Sequence, residues 1–360
     1  TLSDRLINNV TGWVAFVVAS ITYILTVEPT ASFWDCGEFI ASSYKLEVGH
    51  PPGNPVFQLF ARLFTLFGDA QNAAMLVNAM SALCSAFTIF FLYLTIVHFA
   101  RRIFEIKGSE GVAIKLSTAI AIYGAGVVGS LAYCWSDTFW FSAVEGEVYA
   151  MSSLFTAIVF WAMLEWEEEA HQPYANRWIV LIAFLMGLSI GVHLLNLLTI
   201  PAMVFLYYFK MYEVTAKRTW KVLFIAVAIL AFILFGMIPY IPKFSAYADL
   251  LFVNLLGLPV NSGATCFMLM LIGLGVWGFY YTYKRAKVLL NTIILCFTMI
   301  VIGYSTFAVV VIRSSANTPT NEYMPDNPFT LVRYLGREQY GSAPLLYGET
   351  FASPMVSLKT

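Results

Sequence analysis

The stretch WIVLIAFLMGLSIGVHLLNLLTIPAMVFLYYF, residues 178–209, decides how many times the chain crosses a membrane. About 20 apolar residues are enough to cross a hydrocarbon core roughly 30 Å thick, so this stretch is too long for one untilted helix. It is also interrupted by residues that weaken or end a helix: Gly187, Gly191, His193, Asn196 and Pro201. We therefore predict two short helices with a break near His193.

Seven other apolar runs have the length or composition of membrane spans. They are residues 10–27, 78–99, 114–131, 149–164, 222–241, 266–283 and 288–312. Together with the two halves of the broken run they give nine crossings. The predicted fold class is therefore an all-α polytopic membrane protein with about nine transmembrane helices.

The composition agrees with this assignment. Apolar residues make up 59% of the 360 residues and charged residues only 11%, with a mean hydropathy of +0.75. A soluble domain has about 25% charged residues, so a water-soluble fold is excluded. The formal charge of −1 provides no field for a polyanion, and we expect no nucleic-acid partner.

Basic residues orient the predicted helices, because Lys and Arg are enriched in cytoplasmic loops. With the N-terminus inside, 13 of the 20 basic residues lie on the cytoplasmic side. Residues 1–312 then form the membrane domain, with a first outer loop at 28–77 and a second at 132–148. Residues 313–360 are polar, and we expect them to begin an extracytoplasmic segment that is truncated here.

The first outer loop contains the sequence EPTASFWDCGEFI, residues 28–40. Asp35 and Glu38 are three residues apart and share one face if a helix begins here. Such a pair can hold a general base beside a group that tunes its pKa. The same spacing is that of a capping box, so a purely structural role for both carboxylates stays open.

The first loop continues as KLEVGHPPGNP, residues 45–55. The two prolines restrict the backbone and would aim His50 in one direction, toward a phosphate or a carboxylate. They could equally form a stiff connection between helices. Residues 56–67 are apolar except at Gln58, Arg62 and Thr65, which predicts an amphipathic helix in the membrane interface.

The second outer loop, YCWSDTFWFSAVEGEVY at residues 133–149, combines aromatic and acidic side chains. Aromatic rings such as Trp140 suit sugar faces, although Trp and Tyr also anchor any protein at the bilayer interface. Glu145 and Glu147 lie close to membrane depth, where an unpaired carboxylate is expensive. His193 either bonds between helices or lines the same cavity.

These motifs resemble a known family. EPTASFWDCGEFI and VGHPPG in the first loop, AVEGEVY at 143–149 and GVH at 191–193 are similar to the bacterial membrane family named domain of unknown function 2723. That family is related to a eukaryotic protein O-mannosyltransferase of the secretory pathway and, more widely, to the GT-C glycosyltransferases. The resemblance implies a GT-C-like helical bundle.

The resemblance also implies an activity. The expected reaction is an inverting transfer of a sugar, expected to be mannose, from a polyprenyl-phosphate donor to Ser or Thr of exported proteins. Asp35 matches the position of the catalytic base, while Glu38 is a neighbour with an unassigned role. The leaving phosphate needs cations or donors, for which His50, Lys45 and Arg313 are the candidates.

The remaining expectations follow from the same resemblance and from the residues. We expect no cofactor and no metal, since the chain has no Asp-x-Asp pair, and membrane lipid as a further partner. The predicted location is a bacterial inner membrane with the site on the periplasmic side. Two other functions stay open: a transporter or flippase for a lipid-linked or small polar substrate, and a non-catalytic scaffold of an envelope complex.

Overall fold

The structure, a computed structural model, describes residues 4–104, 115–341 and 348. Within these residues every regular element is helical, and β-pairing is limited to one isolated bridge between Val48 and Asn321. The prediction of an all-α membrane protein is therefore confirmed. The α-helices are α1 Asp4–Leu25, α2 Cys36–Lys45, α3 Pro55–Thr65, α4 Ala73–Ile103, α5 Leu116–Cys134, α6 Asp137–Ala143, α7 Val148–Glu169, α8 Asn176–Ile190, α9 Ile200–Met211, α10 Ala216–Ala231, α11 Ile238–Leu256, α12 Ser262–Lys284, α13 Val288–Tyr304, α14 Ala308–Ser315 and α15 Pro328–Leu335.

Eight helical segments of the described chain are long and apolar enough to cross a membrane, and α8 is a shorter apolar helix of 15 residues. The predicted run at 114–131 corresponds to α5, and its first residue lies outside the described part. The predicted break near His193 is present. Helix α8 ends at Ile190, and a 3-10 turn at Leu194–Thr199 leads into α9.

Helix α4 is the central helix of the N-terminal half. It packs against α1 through small residues, with Ala15 and Ala19 of α1 in the same buried cluster as Ala82 and Ala86 of α4. Small side chains allow helix axes to approach closely, which favours van der Waals packing between membrane helices. At one end of this pair Arg101 forms an ion pair with Asp4.

At the opposite end of the same two helices, Asn78 donates to the backbone carbonyls of Glu28 and Thr30, at 2.6 and 2.9 Å. The first loop is therefore fixed to the end of the bundle that lies away from Arg101 and Arg102. This placement agrees with the predicted topology, in which those two arginines and the first loop are on opposite sides.

The helical segment made of α10 and α11 extends further than the sequence predicts. The expected span at 222–241 is part of a 41-residue helical segment, Ala216–Leu256, with a π-helical turn at Phe232–Met237. Pro242 has no N–H to donate to the carbonyl of Ile238. The hydroxyl of Tyr304 donates to that carbonyl instead, at 2.9 Å, so the helix continues through the proline.

Helix α3 confirms the predicted amphipathic helix, and its polar side faces the protein. Gln58 and Thr65 are buried, and Gln58 donates to the hydroxyl of Ser42 on α2 at 3.0 Å. The opposite side exposes Phe60 and Leu63. An outward apolar side and an inward polar side suit a helix that lies in the membrane interface.

Candidate active site

Asp35 occupies the N-cap position of α2, where its side chain makes no capping hydrogen bond. The capping-box alternative is therefore not formed. The carboxylate is instead 59% exposed at the surface of the first loop. An exposed carboxylate held at the start of a rigid helix is available to a ligand.

Glu38 and His50 form a close pair one turn further along α2. The His50 ring contacts the Glu38 carboxylate through Nδ1 at 3.0 Å, and the His50 main-chain N–H donates to the same group at 2.5 Å. The other ring nitrogen, Nε2, lies 3.8 Å from the nearer Asp35 oxygen. The imidazole thus stands between the two carboxylates that the sequence singles out.

The pKa values of this pair shift in opposite directions. Burial acts to raise the pKa of Glu38, but the two hydrogen bonds from His50 outweigh it, and the pKa is lowered. The hydrogen bond that His50 donates to Glu38 raises the pKa of His50 against the effect of burial, and the charges of Glu38, Asp35 and Glu322 raise it further. Glu38 is therefore ionised and occupied by His50, whereas Asp35 keeps its oxygens accessible.

A second acidic group lies behind Asp35. The buried thiol of Cys36 is 3.8 Å from Glu145 and 3.7 Å from Glu147, both of which are at least 95% buried. Burial, followed by the charge of Asp35, raises the pKa of Glu147 to about 7. Burial also raises the pKa values of Glu145 and of the Cys36 thiol. All three groups therefore retain protons more readily than in water.

Residues near the end of the described chain brace the first loop. The backbone N–H of Val48 donates to the carbonyl of Thr320, and the carbonyl of Val48 accepts from the N–H of Glu322. The Tyr334 hydroxyl donates to the carbonyl of Gly49 at 2.8 Å. These contacts hold the His50 loop against residues that are far away in the sequence.

Arg313 takes part in the same brace. Its guanidinium donates to the carbonyls of Leu46 and Lys45 at 2.6 and 3.1 Å, at the C-terminal end of α2. The sequence suggests Arg313 as a phosphate ligand, and the structure places it as a cap on the helix that positions Asp35. The Lys45 side chain is exposed.

The other predicted binding residues lie around the second loop and the helix break. Trp140 donates from its indole nitrogen to Thr26 at 2.9 Å, which fastens α6 to the end of α1. His193 accepts from the N–H of Leu195 at 3.2 Å, and its ring lies 5.5 Å from that of Tyr149. Neither side chain contacts Asp35, Glu38 or His50 in the described structure, so both stay at the periphery of this site.

Several residues of the site are not identified from the sequence. Cys36 is one of them, and its thiol lies within 3.8 Å of the two buried carboxylates of Glu145 and Glu147. Position 49 requires glycine, because a Cβ there would lie 2.5 Å from a Glu38 oxygen. Gly53 has a φ of +78°, and a Cβ would meet the Tyr334 hydroxyl at 2.6 Å. The glycines that flank the His-Pro-Pro segment were the available signal.

The described helices and the acid–imidazole group on their loops define a polytopic membrane protein with a site at one end of its bundle. The chain belongs to the family described as "Protein O-mannosyl-transferase TMEM260 N-terminal domain", whose model matches residues 35–216, about half of the chain. The match begins at Asp35, within the first outer loop, and includes the rest of that loop and the whole second loop.

Two curated relatives are similar to the chain. The "Protein O-mannosyl-transferase tmem260" of Dictyostelium discoideum is 22% identical over 237 residues, which are 64% of this chain and 26% of the relative. The mouse "Protein O-mannosyl-transferase TMEM260" is 24% identical over 175 residues, 49% of this chain and 22% of the relative. The chain thus spans about a quarter of each relative. No solved structure matches it, and the GT-C-like arrangement stays a prediction.

Proposed function

We propose that this chain is the membrane domain of an inverting glycosyltransferase. It moves a sugar, mannose in our proposal, from a polyprenyl-phosphate donor to a Ser or Thr hydroxyl of an exported protein. The names of the relatives support the transfer of mannose to protein. The observation that carries the catalytic assignment is the exposed carboxylate of Asp35, held beside a Glu38–His50 pair.

In this mechanism the acceptor oxygen attacks the anomeric carbon while the bond from that carbon to the phosphate oxygen breaks. The hydroxyl proton passes to Asp35, and the electron pair of the broken bond leaves with the polyprenyl phosphate. A positioned general base contributes about 10²- to 10⁴-fold in rate. Glu38 does not serve as the base, because both of its oxygens accept bonds from His50.

The second acidic group supports Asp35 without contacting the substrate. Cys36 is the next residue after Asp35, and its thiol is held by Glu145 and Glu147. This fixes the first turn of α2 and therefore the direction of the base. The exposed side of α3, which includes Phe60 and Leu63, faces the lipid from which the polyprenyl donor arrives. We place the site on the extracytoplasmic side, which is the periplasm if the host is a bacterium.

The test is mannosyl transfer to a Ser/Thr peptide from a polyprenyl-phosphate donor by purified wild type and Asp35→Asn. We expect Asp35→Asn to lower kcat at least 100-fold with an unchanged melting temperature, in line with the loss of a general base. Glu338→Gln, an exposed carboxylate outside the site, serves as the matched control and should keep full activity. Full activity of Asp35→Asn would refute the assignment. Uptake of substrate into proteoliposomes without transfer would favour the transporter instead.

A further inference from the structure

The charges around His50 do not suit an anionic leaving group. Asp35 and Glu38 flank the imidazole, and Glu322 is close enough for its charge to raise the pKa of His50. Among the described residues no Lys or Arg forms an ion pair with these three carboxylates. Arg313 donates to the backbone carbonyls of Leu46 and Lys45, and a bound cation would add positive charge beside a departing phosphate.

The ligand atoms of Asp35, Glu38 and His50 all lie within 4.8 Å of one another. Glu38 holds Nδ1 of the imidazole at 3.0 Å, which leaves Nε2 directed at Asp35, 3.8 Å away. A histidine that binds a metal typically donates its other ring N–H to a carboxylate. The Glu38–His50 contact has this arrangement.

We propose that Asp35 and Nε2 of His50 bind a divalent transition-metal ion, with Glu38 as the carboxylate that orients the imidazole. The inference rests on the proposed transfer from a phosphate-linked donor. Bonds of about 2.1 Å place two ligands of a tetrahedral ion roughly 3.4 Å apart, close to the observed 3.8 Å. Mixed nitrogen and oxygen donors suit Zn²⁺ or Mn²⁺.

The site leaves room for both substrates. Because the Asp35 side chain is 59% exposed, coordination positions of the ion stay open to phosphate oxygens, where a metal acts as a Lewis acid. One Asp35 oxygen binds the ion and the other faces the acceptor hydroxyl. The sequence predicts no metal because it lacks an Asp-x-Asp pair, whereas these ligands come from the start of α2 and from the loop that follows it.

The binding experiment uses the full chain in detergent micelles with Mn²⁺ alone, followed by the electron paramagnetic resonance signal of the free ion. We expect about one bound Mn²⁺ per chain, displaced by Zn²⁺. Asp35→Asn and His50→Gln should each weaken binding at least 10-fold, and Glu38→Gln about 10- to 100-fold. His171→Gln, an exposed histidine far from the motif, is the matched control and should bind as the wild type does.

A second measurement needs no variant. Pulsed spectroscopy of the Mn²⁺ complex should detect a ¹⁴N coupling from a directly bound imidazole, and its absence would overturn the proposal. Equal binding by His50→Gln and wild type would overturn it as well. Mannosyl transfer that survives complete removal of metal by EDTA would refute the proposed role of the ion and would still support the proposed glycosyltransferase function. Mn²⁺ bound with ¹⁴N coupling but no transfer from any donor would support the ion site and remove the proposed function.

Discussion

Glu147 should make the protein less stable as the pH rises, and this effect can be calculated from its surroundings. Its side chain is buried, and its pKa is raised from 4.5 to about 7. In the unfolded chain the carboxyl ionises near its ordinary pKa, whereas in the folded protein it keeps its proton until about pH 7. Below pH 4.5 Glu147 therefore does not lower the free energy of unfolding. Between pH 4.5 and 7 the free energy of unfolding falls progressively, and above pH 7 the whole loss is present.

The size of the effect follows from the shift. One pKa unit corresponds to about 1.4 kcal/mol, so a shift of about 2.5 units is worth roughly 3 kcal/mol above pH 7. Glu147→Gln removes the titration and keeps the shape of the side chain. Relative to the wild type, the variant should gain about 2–3 kcal/mol in free energy of unfolding between pH 5 and pH 8.

The assay is denaturant unfolding in detergent micelles at pH 5 and pH 8 for wild type, Glu147→Gln and the exposed control Glu338→Gln. We expect the control to follow the wild type at both pH values. If Glu147→Gln and wild type lose stability in parallel between pH 5 and 8, the buried carboxyl is not proton-bearing and the reasoning about the second acidic group is wrong.

Two further substitutions test the packing of α8 against α13 and the hydrogen bonds of Arg313 to the end of α2. Gly187→Ala should destabilise the protein by about 1–3 kcal/mol, because a Cβ there lies 2.3 Å from the carbonyl oxygen of Ile300; Gly273→Ala, with open space around it, should be neutral or stabilising in the same thermal melts. Arg313→Ala should lower the free energy of unfolding by about 1–2 kcal/mol and speed amide hydrogen exchange at the C-terminal end of α2. Unchanged exchange there would contradict the role of Arg313 as a cap.

Much of the fold could be predicted from the sequence because hydropathy is a local property. Each apolar run becomes a helix, and Gly191 and Pro201 mark the break between α8 and α9. The continuation of α10 into α11 is not predicted, because prolines normally end a helix. In the structure the Ile238 carbonyl, which Pro242 cannot bond, accepts from the hydroxyl of Tyr304, 66 residues further along the chain.

The site could be predicted only in part, because its contacts join residues that are distant in the sequence. Asp35 and Glu38 are neighbours in the sequence, and their spacing fits a cap and a catalytic pair equally well. In the structure Asp35 makes no capping hydrogen bond, and Glu38 accepts two hydrogen bonds from His50. The role of Arg313 as a phosphate ligand stays a prediction, and its hydrogen bonds to the carbonyls of Leu46 and Lys45 are tertiary contacts that the sequence spacing does not encode.

The contact between Tyr334 and Gly49 also governs when the site forms during biosynthesis. The two residues are 285 positions apart, and all of the apolar helices of the described chain except α1 lie between them. A nascent chain therefore inserts those helices before the His50 loop receives its final support. An incompletely synthesised chain would therefore carry the His50 loop without its contacts to Thr320, Glu322 and Tyr334.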